Sequence, residues 1–148
     1  MKKRDHSKTA GFTLIELLVV IAILAILVAV GIPVYTGYIS RANDAAVSTE
    51  LNAVLTAAEA ANATNSAEIK SITVSTSGEV KVQFSENGNV SNGFYQNFAD
   101  FYGVERQEGD YSIIIKSLSD LLSQSTTYQN GAKWSGTAWG AWDGTETP

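Results

Sequence analysis

GFTLIELLVVIAILAILVAVGIPVYTGY, residues 11–38, decides the reading of this chain. From Leu17 to Ser40 it carries no charged side chain, yet Glu16 stands near the start of the apolar run. Phe12 to Val34 is 23 residues, which as a helix spans roughly 35 Å, enough to cross the hydrocarbon core of a bilayer. A carboxylate at the centre of such a helix costs about 2.5–3.5 kcal/mol on insertion scales, and less near the end. A charge kept there is a functional candidate.

The basic segment before the run has three physical explanations: a secretory signal peptide, a membrane anchor, or a leader cut off ahead of the run. The apolar region of a signal peptide is shorter, about 7–15 residues, although Ala22, Ala25 and Ala29 supply small residues at which one could be cut. Residues 1–11 carry Lys2, Lys3, Arg4 and Lys8 against Asp5, a balance of +3 within a chain of net charge −5. The positive-inside rule places such a tail in the cytoplasm and the C-terminal part outside. A plain anchor leaves Glu16 unexplained. If the chain is cut between Gly11 and Phe12, Phe12 gains an α-amino group that is positive near neutral pH. Glu16 then lies in the first helical turns, where it complements the helix dipole. It can also pair with a cationic N-terminus, its own or a neighbour's. On this reading Glu16 makes sense only if Phe12 becomes an N-terminus.

Gly11-Phe12-Thr13-Leu14-Ile15-Glu16, followed by Leu17-Leu18-Val19-Val20-Ile21-Ala22, resembles the processing site of type IV prepilins and pseudopilins. The resemblance covers roughly residues 1–45. It implies cleavage after Gly11 by a membrane prepilin peptidase, N-methylation of Phe12 by the same enzyme, and recognition of a neighbouring subunit's amine by Glu16. The implied partners are further copies in a helical filament, the peptidase, an inner-membrane assembly platform, and the membrane before assembly. The implied localisation is a single-pass cytoplasmic membrane protein, later part of a cell-surface pilus. Pro33 falls where this family has a helix-kinking proline. It cannot donate an i→i−4 hydrogen bond, and Gly31 beside it adds backbone freedom. The pair reads either as a mild kink at the membrane exit or as a segment that loosens in a filament. Ala25 stands where many relatives have glycine.

Beyond Pro33 the pattern turns amphipathic. Tyr38, Ala42, Ala45, Val47, Leu51, Val54, Leu55, Ala58 and Ala61 recur at helical spacing, with Arg41, Asp44, Glu50 and Glu59 mostly on other faces. One helix is predicted from about Phe12 to about Asn62. Its first half is apolar all round and needs lipid or other helices. Its second half carries one apolar stripe and needs a sheet.

The remainder reads as an α+β head with an antiparallel sheet laid on the second half of the helix. The expected organisation is a leader over 1–11, a membrane or filament-core segment over 12–34, an amphipathic segment over 35–62 and a head over 63–148. Ile69–Ser75 and Glu79–Ser85 form a hairpin around Thr76-Ser77-Gly78. Phe94, Phe98, Phe101 and Tyr102 share one face of a short helix closed by Gly103. Tyr111–Lys116 is a buried strand. Ser117 and Asp120 have capping-box spacing for a helix through Leu118, Leu121 and Leu122. Asn130-Gly131 is a hairpin signal, with strands near Ala132–Ser135 and Thr137–Trp142.

Composition narrows the function classes. There is no cysteine and one histidine, His6, so disulfides, thiolate chemistry, catalytic triads and histidine-rich metal sites fall away. Without residues 1–11 the side-chain charge is −8, which does not suit sequence-independent binding of nucleic acid. No nucleophile–base pair and no phosphate-binding glycine loop is present. No catalytic residue, cofactor or metal is expected. Trp134, Trp139 and Trp142 read as core or subunit packing rather than as a glycan platform. Glu86, Asn87, Asn89 and Asn92 read as turn residues, their spacing matching no standard calcium loop. Glu105, Arg106, Glu108 and Asp110 read as a solvated loop. Asn62-Ala63-Thr64 matches a glycosylation sequon. The expected function is that of a structural filament subunit, serving adhesion, motility or DNA uptake. A pseudopilin of a secretion or competence system is the nearer alternative, and a membrane-anchored binding module the farther.

Overall fold

The computed structural model describes residues 11–63, 67–85, 92–105 and 111–145. It comprises two units, one up to Tyr38 and one from Ile39 onward. The helix α1, Leu14–Asn62, runs for 49 residues. It takes in both the apolar run and the amphipathic stretch, and continues through Pro33.

In the first unit every described residue is exposed. The helix there is long and apolar enough to cross a membrane, by length and composition. In the second unit α1 buries Val47, Leu51, Val54, Ala57, Ala58 and Ala61, the i, i+4, i+7 spacing of one helical face. Tyr38, Ala42 and Ala45 were expected on this stripe but are exposed. For Ala42 and Ala45 the cause is the size of the sheet. It has five strands, none longer than 6 residues. That makes it about 20 Å across in either direction, enough for about four turns of helix.

The strands are β1 (Ile69–Val74), β2 (Glu79–Phe84), β3 (Ile113–Ile114), β4 (Ala132–Trp134) and β5 (Trp139–Ala141). Their spatial order is β3-β2-β1-β4-β5, and each pairing is antiparallel. The cross-strand partners Ile72↔Val82, Val74↔Val80, Val80↔Ile113 and Val74↔Ala132 put one apolar row against α1. On the opposite face Lys81 and Gln83 are exposed, the alternation expected of a sheet with one wet side.

Helix α2, Asn92–Tyr102, buries Phe94, Tyr95, Phe98 and Ala99. Phe101, predicted on this face, lies at its edge and is 66% exposed; Tyr95 is buried instead. The Tyr95 hydroxyl donates to Val82 O at 3.3 Å and accepts the Val82 N–H at 3.1 Å. This satisfies the one polar atom of an otherwise apolar side chain. Phe94 meets Phe84 edge-on, with ring centroids 5.1 Å apart. Gly103 (φ 71°) ends the helix as predicted. Its N–H donates to Asp100 O and the Val104 N–H to Ala99 O, the paired bonds of a Schellman cap.

Three details depart from the expected pattern. The strand predicted over 111–116 shrinks to two residues, because Ile115 already caps helix α3, Lys116–Gln124. The Ser117–Asp120 capping box does not form, since Ile115 is the N-cap and makes no side-chain cap bond. Asn130-Gly131 is not a hairpin tip but the turn entering β4, closed by Gly131 N–H to Tyr128 O at 2.8 Å. The β4–β5 hairpin is closed instead by Ser135 N–H to Ala138 O. The β1–β2 turn is as predicted. Its Gly78 has φ 77°, and a Cβ there would lie 2.3 Å from Ile115 O. Only glycine fits both the backbone angle and the gap.

Candidate functional site

The first turn of α1 contains the residues on which the sequence reading rests. Phe12 is 89% exposed. Thr13 precedes the helix, and Glu16 is its third residue. The Thr13 backbone N–H and hydroxyl both donate to Glu16 Oε2, each at 2.8 Å. The Glu16 N–H returns a bond to Thr13 Oγ1 at 3.3 Å. This is a reciprocal capping box, which satisfies two of the donors that a helix start leaves without partners. Glu16 therefore has a local reason to exist apart from a free Phe12 amine, and the expectation that it makes sense only beside a new N-terminus is corrected. The signal was legible: Thr13-x-x-Glu16 is the S/T-x-x-E spacing immediately before an apolar run.

Gly31 and Pro33 sit within α1, and Gly31 has open space around it. The Thr36 hydroxyl donates to Pro33 O at 3.0 Å. From Leu14 to Ile39 the large apolar side chains stand between 44% and 82% exposed. That is a surface of the kind lipid or other helices cover.

In the second unit two acidic residues of α1, read from the sequence as surface charges, hold parts of the head. Asp44 accepts five hydrogen bonds from one turn after α3: Ser125 Oγ at 2.6 Å, Thr126 N and Oγ1, and Thr127 N and Oγ1. The Ser125 hydroxyl, with those of Thr127 and Thr126, holds the Asp44 carboxyl well below the usual carboxylate range. Asn43 adds a bond to Gln124 O at 3.2 Å. Glu50 accepts a hydrogen bond from the Tyr102 hydroxyl. Partial burial, then Glu50 itself, pushes that phenol above its usual range. No local signal marked either pair, because the partners are 52 to 83 residues apart.

Trp134 and Trp139 are cross-strand partners, half-buried against the margin of the core. Trp142 donates its indole N–H to Thr145 O at 3.2 Å. Among the described residues no group of three or more potential metal ligands occurs. The basic leader residues, the 86–91 loop, Thr64 of the sequon and residues 106–110 lie outside the described residues.

The prokaryotic N-terminal methylation motif matches residues 6–32, taking in Gly11, Phe12, Glu16 and Gly31. Over this N-terminal segment the chain is similar to type IV pilins. Among similar pilins, a type IV major alpha-pilin of Moraxella bovis is 55% identical over 51 residues, 34% of this chain and 32% of that protein. A fimbrial protein of Pseudomonas aeruginosa is 49% identical over 51 residues, 34% of this chain and 33% of its own. The prepilin peptidase-dependent protein D of Escherichia coli (strain K12) is 63% identical over 35 residues, 24% of each chain. The match to the pilins spans about a third of their length. No solved structure matches the chain significantly. The likeness to pilins is thus a likeness of one segment, while the α+β arrangement of the head is read from this structure.

Proposed function

We propose that this chain is the precursor of a structural subunit of a type IV pilus-like filament. The prepilin peptidase cuts between Gly11 and Phe12 and methylates the new Phe12 amine. The subunit waits in the cytoplasmic membrane with its N-terminus cytoplasmic and its head outside. An inner-membrane assembly platform then draws it into a helical homo-oligomer at the cell surface. In that step Glu16 pairs with the Phe12 amine of a neighbour, and Gly31 with Pro33 gives the helix its weak point. The subunit is a substrate of processing, not an enzyme, and serves adhesion, motility or DNA uptake.

The observation that carries this reading is the methylation motif in register with an exposed apolar helix whose first turn holds a carboxylate. Within an apolar bundle an unmatched charge is strongly unfavourable, so a cationic amine is its natural partner. A pseudopilin of a type II secretion or competence system shares all of these features. Filament length on the cell surface separates the two.

The test is the intact mass and N-terminal sequence of protein from cells that carry their own assembly machinery. A chain starting at N-methylated Phe12 is expected. A chain still starting at Met1 defeats the processing claim, and a start near residue 30 defeats the filament claim.

A further inference from the structure

We propose that an acidic hollow beside Trp134 receives the Lys116 side chain of a second copy of this chain. The inference rests on the filament reading above and names a contact between heads within it. The hollow has a volume of about 330 Å³. Glu59 and Asn62 line it from the end of α1, Glu68 and Ile69 from the start of β1, and Trp134 and Gly136 from the β4–β5 hairpin.

Charge selects the occupant. Among the described residues neither Glu59 nor Glu68 makes an ion pair. The Asn62 amide nitrogen is already committed to Ala67 O at 2.7 Å. What remains is two carboxylates beside an indole. That combination repels anions and suits an ammonium on an apolar arm, because the ring face attracts a cation while its edge packs the methylenes.

Lys116 supplies that group. It is exposed, and it makes no ion pair among the described residues. It stands in the first turn of α3, a helix with no acid there, where the helix dipole disfavours positive charge. Its charge therefore contributes nothing to its own helix. Glu105 lines the same hollow as Lys116 on its own head, together with the exposed Ile114. Lys116 follows β3, one edge of the sheet, whereas the acidic hollow lies at the start of the central strand β1 and the β4–β5 hairpin. A contact between two such different surfaces of successive copies is heterologous. Such contacts propagate as rings or helical filaments rather than closing as two-fold dimers.

A zero-length carbodiimide, which couples a carboxylate to an amine in direct contact, tests this on assembled filaments. The expected product is a dimer band whose cross-linked peptide joins Lys116 to Glu59 or Glu68. Lys116→Glu should abolish the cross-link and most filaments. Glutamate in the first turn suits the helix dipole, so that substitution leaves the head folded. Adding Glu59→Lys and Glu68→Lys to it should restore filaments. Filaments from the unsubstituted chain without this cross-link, or Lys116→Glu filaments of parental yield, overturn the contact alone. No filaments from the unsubstituted chain overturns the filament reading and the contact with it. Quenching of tryptophan fluorescence by N-acetylglucosamine, without a cross-link, assigns the hollow to sugars and also overturns the contact.

Discussion

The Glu16 carboxylate lies 2.8 Å from both the backbone nitrogen and the hydroxyl of Thr13. One side chain thus caps its own helix and, on the reading proposed above, recognises a neighbour. The two roles separate by substitution. Glutamine can still accept the Thr13 N–H as the third helical residue of a capping box, but it carries no charge. Glu16→Gln and Glu16→Ala should therefore both spare membrane insertion and cleavage and both impair assembly. Filament yield by electron microscopy checks this. Normal filaments from Glu16→Gln would reduce the role of Glu16 to capping.

Thr13→Val keeps the shape of Thr13 and removes its hydroxyl, at a cost of about 1 kcal/mol to the start of α1. Faster amide hydrogen exchange at Glu16, measured in detergent micelles, is the expected sign.

Asp44→Asn removes a charged acceptor from five hydrogen bonds and should lower the Tm of the protein. It should also change the acid limb of the stability profile. The folded Asp44 carboxyl titrates below its ordinary value. Its contribution is therefore present above the unfolded value of about 3.9 and is lost as pH falls below it. Asp143, also held low by the Thr145 hydroxyl and N–H, acts in the same direction. Denaturation between pH 5 and pH 2 should show a shallower loss of stability in Asp44→Asn than in the parent, and parallel profiles would rule the linkage out.

Phe98→Ala opens a cavity where α2 meets the sheet, since Phe98 is fully buried. The expected loss is about 3–5 kcal/mol. Phe101→Ala on the same helix should change stability by about 0.5 kcal/mol at most, because that ring is in solvent. Denaturant midpoints of the two variants distinguish the faces directly.

Gly78→Ala forces a Cβ against Ile115 O at 2.3 Å and strains a left-handed backbone. A loss on the order of 1–3 kcal/mol is expected from the backbone alone. The damage should spread to α3, because Gly78 O accepts the Ile115 N–H at 2.9 Å.

Much of this was written in local sequence. Length, periodicity and the lone Glu16 determined the long helix, its apolar and amphipathic halves, the processing motif, and the hairpin over residues 69–84. Each depends on neighbours within a few residues, so pattern is enough. The extent of burial on α1 was not local. Ala42 and Ala45 fit the stripe but lie beyond a sheet only about 20 Å wide. Ile115 lost its strand to a cap because the chain had to turn into α3. Asp44 and Glu50 looked like solvent charges because helical spacing says where a side chain points, not what arrives there from Ser125 or Tyr102. Sequence by itself determined the segments and their chemistry; only the tertiary structure decided which polar side chains met, because hydrogen bonds between residues 52 to 81 positions apart leave no periodic trace.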